Sequence, residues 1–159
     1  MKKYWLFLCL AGLLCACAQQ DMKDTLIVAH KGEMESLDPV YSYDGVTHGL
    51  LINVYDTLLK FNGSSLTDLE PSISTQAPSR ENGLISADGR TYTFPIRKGV
   101  KFHDGTELKA TDVEFTFTRM FLPETACVNT FLCDMILGAK EMLDGQTTEL
   151  AGFTVTGDP

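Results

Sequence analysis

The sequence predicts a mixed α/β fold, and three observations carry that reading. The chain has 159 residues, of which 44% are hydrophobic and 21% charged, an ordinary globular composition that excludes a disordered tail and a multispan membrane protein. Thr91 to Arg97 alternates, with Tyr92, Phe94 and Ile96 on one face and polar groups on the other, which predicts a half-buried strand. Two stretches place apolar residues at helical spacing: Val113, Phe117, Met120 and Phe121, then Met135, Ile136, Ala139, Met142 and Leu143.

Taken from the N-terminus, Lys2-Lys3 precedes thirteen uncharged, largely apolar residues from Tyr4 to Ala16, the order of a secretory signal. A membrane-crossing helix needs about 20 apolar residues, so this run is too short to span. Residues 1–16 are therefore expected to be a signal peptide. Its end, Leu14-Cys15-Ala16-Cys17, resembles the bacterial lipobox, which implies that Cys17 becomes a lipid-bearing N-terminus; the alternative is a soluble secreted protein cut after Ala16 or Ala18. Cys15 cannot take that place, since Leu14 before it is too large. Lys2 and Lys3 are the only charged residues ahead of Cys17, so the body is more acidic than the net charge of −8 and no nucleic-acid partner is expected. Of five cysteines, Cys127 and Cys133 remain in the body. Their six-residue spacing leaves a small-loop disulfide open if the stretch between them is not one continuous helix.

Leu26-Ile27-Val28 reads as a short buried strand, followed by a polar loop to Pro39. Leu50, Leu51, Val54, Tyr55, Leu58 and Leu59 form a helical stripe over 46–60, with Asp44 or Thr47 as cap and an end that turns toward strand. Asn62-Gly63-Ser64-Ser65 is a turn, and 68–81 an extended connection. Turns at Asp88-Gly89 and Asp104-Gly105 bracket the alternating strand, where Pro95, lacking an N–H, demands an edge or a bulge. A helix begins near Thr111 or Asp112 and stops before Pro123. A last helix is expected over 134–143 with Gly145 at its C-cap, and then a strand over 153–156.

No phosphate loop, nucleophile elbow or His-Glu-x-x-His sequence is present, and no enzyme activity, metal or cofactor is expected. His30 with Glu33, and His103 with Asp104, are pairs lacking a third group to orient them. Asp104-Gly105 lacks the alternating carboxylates of a calcium loop and reads as a turn.

The larger pattern is informative. The run from Asp88 to Gly105, then Leu108-Lys109-Ala110-Thr111-Asp112-Val113-Glu114-Phe115, resembles the signature of the family 5 bacterial extracellular solute-binding proteins. The resemblance extends through Ser36-Leu37-Asp38-Pro39, Val54-Tyr55-Asp56-Thr57-Leu58-Leu59, Ile136-Leu137-Gly138-Ala139-Lys140-Glu141 and Gly152-Phe153-Thr154-Val155. It implies a periplasmic-binding-protein-like, type II, two-lobed clamshell of which this chain is an N-terminal fragment. Residues 17–44 would be lipid anchor, tether and the start of the first large lobe, and 45–159 a truncated small accessory lobe. Two departures stand out: Pro95 replaces a residue able to donate its N–H, and Lys109 replaces the usual capping Thr, so Thr111 or water is expected to serve the first turn.

The resemblance implies a ligand cleft lined by loops on either side of Leu37-Asp38-Pro39, here Glu33, Met34 and Glu35, then Tyr41, Ser42, Tyr43 and Asp44, with Phe131 from the second lobe. Tyrosines beside carboxylates suit a peptide's backbone and terminal ammonium. The function implied is capture of oligopeptides outside the cell membrane and delivery to the permease of an ATP-driven (ABC) importer, with the lipid holding the protein on the outer membrane face or in the periplasm. A dipeptide, nickel-chelate or haem receptor of the same family, and a non-transporting surface interaction fragment, are the alternatives.

Overall fold

The computed structural model describes residues 24–34 and 36–157. The chain divides into two units, 1–31 and 32–159. In the first, the described residues 24–31 hold no strand, and Leu26, Ile27 and Val28 are 87%, 70% and 60% exposed. This corrects the expected buried strand. An apolar triplet becomes a strand only against a hydrogen-bonding neighbour, and none pairs with it among the described residues.

In the second unit, helix α1 spans Gly45–Leu51 and is capped by Asp44, whose Oδ1 accepts from the N–H groups of Val46 (3.0 Å) and Thr47 (2.8 Å). The stripe predicted a helix to residue 60, but α1 ends nine residues sooner. Val54 and Tyr55 both donate to Leu51 O, which closes the helix. The following backbone is claimed by sheet pairing instead: Ser72 and Ser74 donate to Leu58 O, and Ile73 donates to Thr57 O. Strand β1 (Leu59–Phe61) then runs antiparallel to β2 (Leu69–Pro71), with Lys60 opposite Glu70 and their side chains 3.0 Å apart.

The predicted strand over 91–97 is replaced by separate bridges, Ile85 with Tyr92 and Ser74 with Ile96. Pro95 explains the break: it has no N–H, and the segment changes partners around it. Thr93 donates to Leu84 O before it and Arg97 to Ile73 O after it. Pro95 O still accepts from the Thr75 N–H (2.8 Å) and the Ser74 hydroxyl (3.3 Å). Tyr92, expected to be buried, is 56% exposed. A bridge between Lys101 and Glu107 closes the turn at 104–105.

Helix α2 spans Ala110–Met120, as predicted within two residues. Its N-cap residue Lys109 offers no side-chain acceptor, and the end is served by Asp112, whose Oδ2 accepts from the Lys109 N–H at 2.8 Å. The core forms where α2 ends: Phe121, Ala139, Met142 and Leu150 are buried, with Phe117, Met120, Leu122, Cys133, Ile136 and Phe153 packed around them. Phe117 and Phe153 lie with ring centroids 5.4 Å apart.

Helix α3 covers only Ala139–Leu143, five residues shorter than predicted. Gly138 sets the boundary, since its φ of 89° lies in the left-handed region, and a Cβ there would come within 2.8 Å of the Ala151 nitrogen. Its C-terminus closes as expected at Gly145, with Gly145 donating to Met142 O and Gln146 to Glu141 O, the double bond pattern of a left-handed helix stop. The strand expected over 153–156 does not form; Gly152 donates to Leu137 O at 2.6 Å and Phe153 turns back to Leu150 O.

Candidate functional site

The loop after Asp38-Pro39 is built by alternation. Asp38 caps a short 3-10 turn over Pro39–Tyr41, its Oδ1 accepting from the Val40 N–H at 3.1 Å. Val40 and Ser42 are buried while Tyr41 and Tyr43 point outward, 42% and 74% exposed. Both tyrosines thus reach the surface on a backbone that is tied down beneath them.

Two groups from distant sequence do the tying. Arg119, on the last turn of α2, grips the Asp38 carboxylate with both arms of its guanidinium: Nη1 donates to Oδ2 at 3.0 Å, and Nη2 to Oδ1. Both side chains are about one-third exposed. Arg119 holds the Asp38 carboxyl below its ordinary range, aided by the Val40 N–H and opposed by burial. Asn129 Nδ2 donates to Pro39 O (3.2 Å) and Ser42 O (2.7 Å), and the Val128 N–H donates to Val40 O (3.3 Å). Tyr55 Oη adds a bond to Leu37 O at 3.2 Å.

Of the residues expected to line a ligand site, the structure brings Tyr43 and Phe131 together, edge to face, with ring centroids 5.7 Å apart. Phe131 lies on a 3-10 turn over Thr130–Leu132 and is 52% exposed. Glu33 and Met34 are exposed and, among the described residues, share no hydrogen bond or ring contact with the tyrosines. Glu35 and Cys17 lie outside the described residues, as does the whole 1–16 segment. Asp44 is engaged as the cap of α1, and those backbone donors and Thr47 hold its carboxyl below the ordinary range.

Sequence reasoning did not find Arg119 or Asn129. The one signal for Arg119 was a cation in the last turn of an amphipathic helix, where a dipole explanation is sufficient. Cys127 and Cys133 stand as free thiols with the 3-10 turn between them, and burial pushes the Cys133 thiol up. His30 and His103 are exposed, and among the described residues no group of His, Cys, Asp or Glu could hold a metal ion. Asp104 serves its turn, accepting from the Thr106 N–H at 2.8 Å. A shallow hollow of about 260 Å³ opens elsewhere, lined by residues 52–56 and 101–103.

Residues 79–154 match the family described as "Bacterial extracellular solute-binding proteins, family 5 Middle". Over these residues the chain is similar to solute-binding family 5. It is 34% identical over 128 residues to the di/tripeptide-binding protein 2 of Pseudomonas aeruginosa (strain UCBPP-PA14), covering 74% of this chain and 22% of that one. It is 42% identical over 76 residues to the heme-binding protein A of Haemophilus influenzae (strain ATCC 51907), covering 44% and 13%. Its fold is similar to that of Listeria monocytogenes OppA bound to peptide, with a TM-score of 0.62, 21% identity, and coverage of 70% of this chain and 21% of that one. The chain therefore has the mixed helix and strand structure of part of a type II periplasmic-binding-protein-like fold. It spans about a fifth of the length of the curated relatives it matches.

Proposed function

We propose that this chain is the peptide-binding component of an ABC importer, exported and anchored through a lipid on Cys17, that presents its ligand to a membrane permease. The observation that carries the reading is the pair of outward tyrosines, Tyr41 and Tyr43, on a tied-down loop in a family whose relatives include a di/tripeptide-binding protein. Tyrosine hydroxyls and ring faces suit peptide groups and the apolar side chains between them. Glu33, Met34 and Phe131 complete the proposed contact set. Among the described residues no helix is long and apolar enough to cross a membrane.

The test is an NMR titration of the full chain in detergent with alanine peptides of two to five residues. Saturable shifts at Tyr41 and Tyr43, with a Kd of about 1 mM or tighter, are expected. The relative named for haem binding favours one competing reading, so haemin is the second titrant. Stoichiometric haemin uptake without a peptide response replaces the ligand, and no response to either leaves a surface interaction fragment. For the anchor, radiolabelled palmitate should enter the wild-type chain and not Cys17→Ser; equal labelling sinks that part.

A further inference from the structure

Resting on the peptide-binding reading above, we propose that Asn129 is a positioning residue that sets the shape of the Tyr41 to Tyr43 loop for its ligand. The loop has little regular structure of its own beyond a three-residue 3-10 turn. Three of its carbonyls, those of Pro39, Val40 and Ser42, accept from Val128 and Asn129. The two bonds from one amide nitrogen fix the separation of Pro39 O and Ser42 O, and so the turn on which Tyr41 stands. Phe131, two residues beyond, rests against the ring of Tyr43.

The amide itself shows what it is kept for. Asn129 Oδ1 is buried and, among the described residues, without a hydrogen-bond partner, a cost that an aliphatic side chain of similar size would avoid. Only the two N–H donors offset that cost, and both are spent on this loop. Its partners lie 90 and 87 residues away in the chain, so the contact is tertiary and does not arise from local turn geometry.

Asn129→Asp is nearly isosteric but turns the donor into an oxygen facing two carbonyls, so packing is kept while the bonds are lost. The experiment follows the tyrosine ring signals of the full chain by NMR, free and titrated with tri-alanine, alongside thermal unfolding. Asn129→Asp is expected to shift the free-state signals of Tyr41 and Tyr43, leave Tyr92 in place and weaken tri-alanine binding about tenfold. If Asn129→Asp does not fold, Asn129→Ser, which keeps one donor, should show the same changes at smaller size. A lower melting temperature with Tyr41 and Tyr43 signals and tri-alanine affinity within twofold of wild type means a merely structural role and overturns the proposal. Failure of the wild-type chain to respond to tri-alanine overturns the peptide reading and this one with it, and is recognised before any substitution is made.

Discussion

Asp38 and Arg119 meet as a two-armed ion pair across 81 residues of chain, joining the loop that carries the tyrosines to the last turn of α2. Because the folded Asp38 carboxyl titrates below its ordinary value, its contribution to stability is complete above the unfolded pKa of about 3.9 and fades as pH falls through the folded value. Arg119→Gln should therefore cost about 1 kcal/mol at pH 7, a figure discounted for one-third exposure. The cost should shrink as pH falls. Urea denaturation of both chains between pH 7 and pH 2.5 checks this, and a cost that stays constant with pH refutes it.

Lys109 occupies the N-cap of α2 without a side-chain acceptor, while Asp112 supplies the opposite half of a capping box. Lys109→Thr should complete the box and stabilise the chain by about 0.5 to 1 kcal/mol. Chemical denaturation reads the gain, and a neutral or destabilising result would show that the Lys109 side chain does something the helix end needs.

Gly138 and Gly145 both have positive φ, 89° and 69°, but only Gly138 is crowded, by Ala151. Gly145→Ala should cost about 1 kcal/mol for conformation alone. Gly138→Ala adds a clash with backbone and should cost at least twice as much. Comparable melting temperatures for the two variants would contradict the close approach of segments 136–139 and 150–153.

Burial raises the Cys133 thiol pKa, with Cys127 and Asp134 adding to the effect. The thiolate is the reactive form, so Cys133 should alkylate slowly at pH 7.5 and steadily faster as pH is raised. Iodoacetamide labelling with peptide mass mapping checks it. If instead the purified chain yields a fragment joined through Cys127 and Cys133, the pair closes under oxidising conditions despite standing free in the structure.

What could be read in the sequence was local. Asp44 as cap, α2 with its stop before Pro123, the turns at 62–65, 88–89 and 104–105 and the helix stop at Gly145 all follow from residues within a turn of one another. The readings that failed depended on partners. Residues 54–59 continue a helical stripe, yet Thr57 and Leu58 accept backbone bonds from 72–74 and Leu59 pairs with Pro71. Met135 and Ile136 fit a helix on paper, but Gly138 must approach Ala151, which no periodicity reveals. The candidate site divided in the same way: Tyr41 and Tyr43 were proposed from the motif around Asp38-Pro39, whereas Arg119 and Asn129, which hold that loop, reach it from 81 to 90 residues away.

The single bridges of the middle region imply a distinctive deuterium-uptake pattern. The amides of Thr93, Arg97 and Leu108 each donate to a different partner segment, at 2.8 to 2.9 Å, while those of Phe94 and Ile96 donate to none among the described residues. Protection against solvent exchange should therefore be punctuated, with slow amides separated by fast ones, where a continuous ladder would give a block. Backbone course would be fixed by many independent fasteners, and loosening one would leave the next in place.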